Sequence, residues 1–75
     1  MSKRVALGPA IKAIRTAKGL PGGKFATACL ISHAHLCNIE RGFRHPSAEH
    51  LERIAKELDV PLDAISYEAA TEAVA

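Results

Sequence analysis

Residues 33–41 include histidine, cysteine, asparagine and arginine side chains at the spacing of a helix. His33 and Cys37 are four residues apart, so in a helix they would share one face and could reach one metal ion. A structural zinc site needs further ligands and commonly takes them from closely spaced pairs of Cys or His. His45 and Cys29 are the remaining candidates, and neither has that spacing. We therefore expect no metal to bind here.

A catalytic role for the same stretch is also not predicted. Ser32, His33 and Cys37 are close in sequence, but no set of nucleophile, base and orienting group is recognisable around them. A chain of 75 residues leaves little room for a substrate pocket beside its core. We expect the protein not to be an enzyme and to need no cofactor.

The apolar residues around this stretch predict two short helices joined by a tight corner, over residues 23–29 and 33–41. Ser32 is a suitable N-cap for the second helix, and Gly42 follows its end. Leu36 and Ile39 would face the core. The opposite face then presents side chains that no core requires: His33, Ala34, Cys37, Asn38 and Arg41.

Three more helices are expected to hold this pair in place. The first begins at Pro9 and ends at Gly19, and the fourth is capped by Ser47. A fifth starts near Leu62. Few segments alternate with period two, so a sheet is not predicted. The expected fold is all-α, a compact bundle of five short helices over residues 8–66, with a flexible basic arm at 1–7 and a helical extension or frayed tail at 67–75.

The charges of the chain are divided between its two halves. Residues 1–45 hold eight Lys or Arg against one acid, and residues 46–75 hold two against seven, so the halves carry 8 − 1 = +7 and 2 − 7 = −5. Such a division is typical of a protein with one end that faces a polyanion. By itself it does not distinguish DNA from RNA or an anionic membrane.

Cellular location is predicted from what the sequence lacks. Two cysteines do not make the disulfide framework of a small secreted domain. No signal-peptide pattern is present, and no apolar run approaches the length of a membrane span. We expect a cytoplasmic protein without a membrane partner.

Three segments of the chain match a known pattern. They are IKAIRTAKGL, FATACLISHAHLCNIERG and HPSAEHLERIAKELDVPLDAI, and they cover most of residues 8–65. With these segments the chain resembles the phage repressor and Cro-like helix-turn-helix proteins, the Xre family. The resemblance implies a lambda-repressor-like fold and a transcriptional regulator that binds double-stranded DNA with the helix at 33–41 in the major groove.

The resemblance also implies roles for individual residues. Base contacts would come from His33, Ala34, Cys37 and Asn38. Contacts to the DNA backbone would come from Gly23, Lys24, Ser32, Arg41, Arg44 and His45, with the Lys3–Arg4 arm as a further candidate. Arg15 and Glu40 match positions that form a structural ion pair between the first and third helices in many relatives.

Two departures from the family pattern concern the docking on DNA. Pro21 and Gly22 stand where relatives commonly have Ser or Thr followed by Gln. Leu30 stands at a corner that commonly carries Gly, and a positive φ there would cost roughly 1 kcal/mol or more. We expect any difference in docking to begin at these positions.

The expected function is that of a homodimeric regulator on a palindromic operator. The alternative is a protein-interaction module of the antitoxin type, which would bind a toxin or another protein as well as operator DNA. The acidic half of the chain would serve that partner or the dimer.

Overall fold

The computed structural model describes residues 2–70, and its elements are four helices and two strands. In chain order they are β1 (Ser2–Ala6), α1 (Gly8–Ala17), α2 (Gly22–Ala28), α3 (His33–Glu40), α4 (Ala48–Leu58) and β2 (Ser66–Ala70). A single turn of 3-10 helix, Leu62–Ala64, lies between α4 and β2. The helical domain expected from the sequence is therefore present, with one helix fewer than predicted.

Two helices were predicted to begin directly after a serine, and in both the hydroxyl group of that serine caps the helix. The Ser32 hydroxyl accepts a hydrogen bond from the backbone N–H of His35 at 3.0 Å, and Ser47 accepts one from His50 at 3.1 Å. Each hydroxyl thus satisfies one of the amides that a helix leaves unpaired at its start. Both caps confirm the predicted starts of α3 and α4.

Every helix contributes to one apolar core. Its members are eleven buried hydrophobic residues: Ile11, Phe25, Ala26, Cys29, Leu36, Ile39, Leu51, Ile54, Ala55, Leu58 and Ile65. α4 alone supplies four of them at the predicted i, i+3, i+4 and i+7 positions. Such short helices are unstable in isolation, so this shared core keeps them folded.

The prediction of a fifth helix is wrong. The chain makes one 3-10 turn after Pro61, and Ile65 then leaves helical geometry with φ −123°. The Ile65 carbonyl accepts a hydrogen bond from Leu7 N–H at 2.8 Å, which directs the chain toward the N-terminal segment. The segment 67–75, predicted as a helical extension or a frayed tail, begins instead within a strand over residues 66–70. Residues 71–75 lie outside the described part of the chain.

The two ends of the described chain form an antiparallel sheet, which the sequence analysis did not predict. Val5 is paired with Tyr67 and Ala6 with Ser66. The predicted flexible arm is thus a strand over residues 2–6. Pairing satisfies backbone groups that neither segment satisfies alone, and because the partners are far apart in sequence, local periodicity gives no sign of it.

No helix within residues 2–70 is long and apolar enough to cross a membrane.

Candidate nucleic-acid interface

α3 has one buried face and one open face. Leu36 and Ile39 are buried in the core. On the opposite side lie the residues that the sequence analysis singled out: His33, Ala34 and Arg41 are exposed, and Cys37 and Asn38 are half-buried. At 3.6 residues per turn these five positions form one continuous stripe. We call it the α3 outer face.

The corner between α2 and α3 is built around Leu30. Its φ is +64°, the left-handed conformation that the sequence analysis considered. Backbone hydrogen bonds from Leu30 N–H to Thr27 and from Ile31 N–H to Ala26, both 3.0 Å, close the corner. The Leu30 side chain is 68% exposed, so core packing does not compensate the strain of this conformation.

An ion pair fixes α3 to α1. Arg15 Nε donates to Glu40 Oε2 at 2.7 Å, and Nη2 donates to Oε1 at 3.2 Å. Arg15 Nη1 also donates to the Leu20 carbonyl at 2.7 Å, so the turn between α1 and α2 belongs to the same hydrogen-bond network. The hydrogen bond to Glu40 raises the pKa of Arg15 above its ordinary value. The pair joins the two residues that the resemblance singled out, and its two-pronged geometry suits holding α3 in a fixed orientation.

A second contact between α1 and α3 is made by backbone atoms alone. Gly8 is buried at the start of α1, where a Cβ atom would overlap the Ile39 carbonyl oxygen and lie 2.8 Å from that of Glu40. Only glycine allows this approach of one helix start to the last carbonyls of the other. α1 therefore supports α3 through both its backbone and Arg15.

Two shallow clefts run along the two sides of the α3 outer face. One, of about 320 Å³, is lined by Ser32, Ala34, His35, Asn38 and Arg44. The other, of about 120 Å³, is lined by Lys12, Arg15, Cys37, Glu40 and Arg41. The larger cleft contains the cation Arg44, and the smaller one contains Lys12 and Arg41 beside the Arg15–Glu40 ion pair, so cationic side chains border the face on both sides.

The predicted backbone-contacting residues lie at the surface near this face. Gly23, Lys24, Ser32, Arg41, Arg44 and His45 are all exposed. Within the described chain, the side chains of Lys24, Arg41, Arg44 and His45 make no hydrogen bond or ion pair with other residues. Arg4, by contrast, pairs with Asp63 at 2.6 Å.

The predicted base-contacting residues differ in their surroundings. The backbone carbonyl of Asn38 accepts hydrogen bonds from the N–H groups of Phe43 and Arg44 at 2.8 and 3.3 Å, and the residue also lines the larger cleft. His33 lies beside the first turn of α2, where a Cβ at Gly22 would be 2.8 Å from its Nε2.

Sequence reasoning missed three features of this surface. Lys12 of α1 lines the smaller cleft, and Gly22 lies under His33. The rings of His35 and His50 meet edge to face, with centroids 6.0 Å apart, which joins α3 to the start of α4. The positive charge of Lys12 was noted, but its place depends on how α1 crosses α3, which the sequence does not encode locally.

The alternative of a metal site around His33 and Cys37 has no ligand set among the described residues. Among residues 2–70, no three His, Cys, Asp or Glu side chains come together in a group that could hold a metal ion. Cys29 is buried in the core, whereas Cys37 lies on the α3 outer face, and both thiols are free.

Comparison with known proteins places this geometry in a family. A sequence model of a helix-turn-helix family matches residues 11–65. A search of curated proteins gave no match.

Three solved structures illustrate the similarity. The restriction-modification controller protein C.AhdI from Aeromonas hydrophila is 28% identical, with a TM-score of 0.74 over 80% of this chain and 91% of that one. The clp gene regulator ClgR from Corynebacterium glutamicum is 30% identical, with a TM-score of 0.73 over 77% of each chain.

The third is the master regulator for biofilm formation SinR, solved in complex with DNA. It is 31% identical, with a TM-score of 0.70 over 76% of this chain and 95% of that one. By sequence and by fold, the chain belongs to the Xre-like helix-turn-helix family of DNA-binding transcriptional regulators.

Proposed function

We propose that the protein regulates transcription by binding a specific double-stranded DNA site with α3 in the major groove. One observation supports this most directly. The α3 outer face is open and is bordered by the unpaired cations Arg41 and Arg44, while the ion pair between Arg15 and Glu40 fixes α3 to α1. A rigid helix with free polar side chains is what reading base edges requires.

The α3 outer face offers complementary chemistry for base recognition. Asn38 can pair through both atoms of its amide with N6 and N7 of adenine. His33 can donate to or accept from a base edge, and Ala34 can pack on a thymine methyl group. Cys37, a weak hydrogen-bonding group, contributes a small apolar contact.

The surrounding cations would hold the DNA backbone. Lys24, Arg41 and Arg44 carry the charge that phosphates attract, and Ser32 keeps a hydroxyl proton to donate after its oxygen has capped α3. Gly23 and His45 are the remaining candidates. Such contacts position a protein on DNA without reading its sequence.

We further propose that two copies bind one palindromic operator. Helix-turn-helix dimers place their reading helices in successive major grooves, about one helical turn apart. A selected site would then contain two inverted half-sites with centres about 10 base pairs apart.

Selection from a randomised pool of double-stranded DNA tests this proposal. We expect the full chain to enrich one inverted-repeat sequence and to bind it with a Kd that rises steeply with salt concentration. A matched pool of double-stranded RNA serves as the control, because cationic surfaces alone would retain both. Retention of all DNA sequences alike would contradict specific reading.

A further inference from the structure

The imidazole of His33 occupies the space where residue 22 would carry a side chain. A Cβ atom built on Gly22 would lie 2.8 Å from His33 Nε2 and 3.4 Å from Cδ2. One edge of the ring therefore covers the first turn of α2, although the residue as a whole is exposed. The His33 side chain therefore cannot adopt every rotamer, since α2 lies against one edge of its ring.

The other side chain near this space is held in place. Arg15 Nη1 would be 3.6 Å from the same Cβ, an ordinary contact. Arg15 is fixed by Glu40 and by the Leu20 carbonyl. If residue 22 acquired a side chain, His33 would therefore be the group that moves.

The direction of that movement follows from the packing of α3. Leu36 and Ile39 are buried on the side of the helix away from the outer face. A displaced imidazole would therefore move over the α3 outer face, where Ala34 and Cys37 lie beside it. The displacement changes the surface offered to a base pair without opening the core.

We propose that Gly22 is a positioning residue for base selection: by having no side chain, it provides the seat in which the His33 imidazole is held on the DNA-facing surface. This inference rests on the proposed function. A ring fixed before binding loses less rotational freedom on contact and approaches its base in one geometry. Gly22, which departs from the family pattern, and His33 would therefore act as a pair, because the missing side chain of one makes room for the ring of the other.

The adjacent glycine supplies a matched control. Gly23 also lies in the first turn of α2, and a Cβ there would meet no atom within 4 Å. Neither glycine has the positive φ that would strain an alanine. Gly22→Ala and Gly23→Ala should both keep or raise the unfolding midpoint, because alanine favours helix over glycine.

The test combines DNA selection with the chemical shifts of the His33 ring. Gly22→Ala should move the ring resonances of His33 in the free protein and alter the preferred base at one position of each half-site. Its affinity for the wild-type site should fall by roughly 5- to 100-fold, the range for loss of one good base contact. Gly23→Ala should leave both the resonances and the base preference unchanged.

A double-mutant cycle on the DNA selected by the wild type completes the test. Once His33→Ala has removed the ring, adding Gly22→Ala should change affinity no further. Independent effects of the two substitutions, or equal effects of Gly22→Ala and Gly23→Ala on base preference, would overturn the role of Gly22 and leave the proposed function intact. A wild type that enriches no DNA sequence would overturn both.

Discussion

Asn38 is bound into the structure by its backbone, and this separates its two roles. Its backbone carbonyl oxygen holds the turn after α3 through the N–H groups of Phe43 and Arg44, and the side chain takes no part in those hydrogen bonds. A substitution that shortens the side chain therefore leaves the turn intact. This makes Asn38 a clean position at which to test base reading.

Asn38→Ala should weaken binding to the selected site by about 1–3 kcal/mol and relax the preference at one base pair of each half-site. Competition binding against a panel of single-base variants measures both effects. Arg44→Ala is the control, because loss of a phosphate contact should weaken all duplexes about equally. An unchanged ranking of the panel after Asn38→Ala would exclude Asn38 from base reading.

Cys29 is a buried residue whose ionisation affects stability. Its side chain is 1% exposed, and burial, followed by the negative charge of Glu57, raises the pKa of the thiol from 9.0 to about 11. The folded protein keeps this proton over a pH range in which the unfolded chain loses it. The free energy of unfolding should therefore fall as pH rises from about 9 to 11, by on the order of 2 kcal/mol.

Urea unfolding at several pH values measures this loss. Cys29→Ala should lower stability at neutral pH but flatten the alkaline decline, since the titrating group is gone. Cys37→Ala should retain the decline, because it leaves the Cys29 thiol in place. A decline of equal size in the Cys29→Ala protein would assign it to other groups.

Among the elements, the corner between α2 and α3 carries backbone strain. Leu30 adopts φ +64° with a side chain that is largely exposed, so Leu30→Gly removes the steric cost and sacrifices little packing. We expect it to raise the free energy of unfolding by roughly 0.5–1 kcal/mol, or a few degrees in Tm.

Ala28→Gly provides the opposite control at a neighbouring exposed position in α2. It should lower stability by about 1 kcal/mol, because glycine disfavours a regular helix. Thermal unfolding of both variants is the measurement. Destabilisation by Leu30→Gly would mean that the leucine side chain contributes more than its exposure indicates.

The success of sequence reasoning also differed from element to element. Helices with a serine cap and a clear apolar stripe, such as α3 and α4, were predicted because their signals are local. The strands were missed because their hydrogen-bonding partners lie at opposite ends of the chain. The seat of His33 was missed for a related reason, since it depends on how α2 packs against α3.

Considered as a whole, the molecule has a charge division that predicts different roles for similar lysines. Lys24 is exposed at α2 in the basic half, whereas Lys56 shares the surface of α4 with Glu49 and Glu52. Only the first lies in the half expected to approach DNA. The division along the sequence depends on composition alone, and its separation into two surfaces of the folded molecule stays a prediction.

Lys24→Ala should reduce the slope of log Kd against log salt concentration by about 0.9, the effect of one phosphate contact. Lys56→Ala should leave the slope unchanged. Fluorescence anisotropy with the selected duplex over a range of salt concentrations provides the comparison. Equal slopes for the two variants would show that the charge division does not orient the protein on DNA.

The sheet between β1 and β2 also affects the order in which the molecule assembles. Val5 is paired with Tyr67, more than 60 residues later, whereas α2 and α3 are adjacent in the chain. Closing so long a loop costs entropy that neighbouring helices do not lose, so we expect the helices to form first and the strands to pair late. A proline at position 5 would then accelerate unfolding and barely slow refolding in stopped-flow experiments. The helices that carry the α3 outer face and its supports would thus form before the two strands have met.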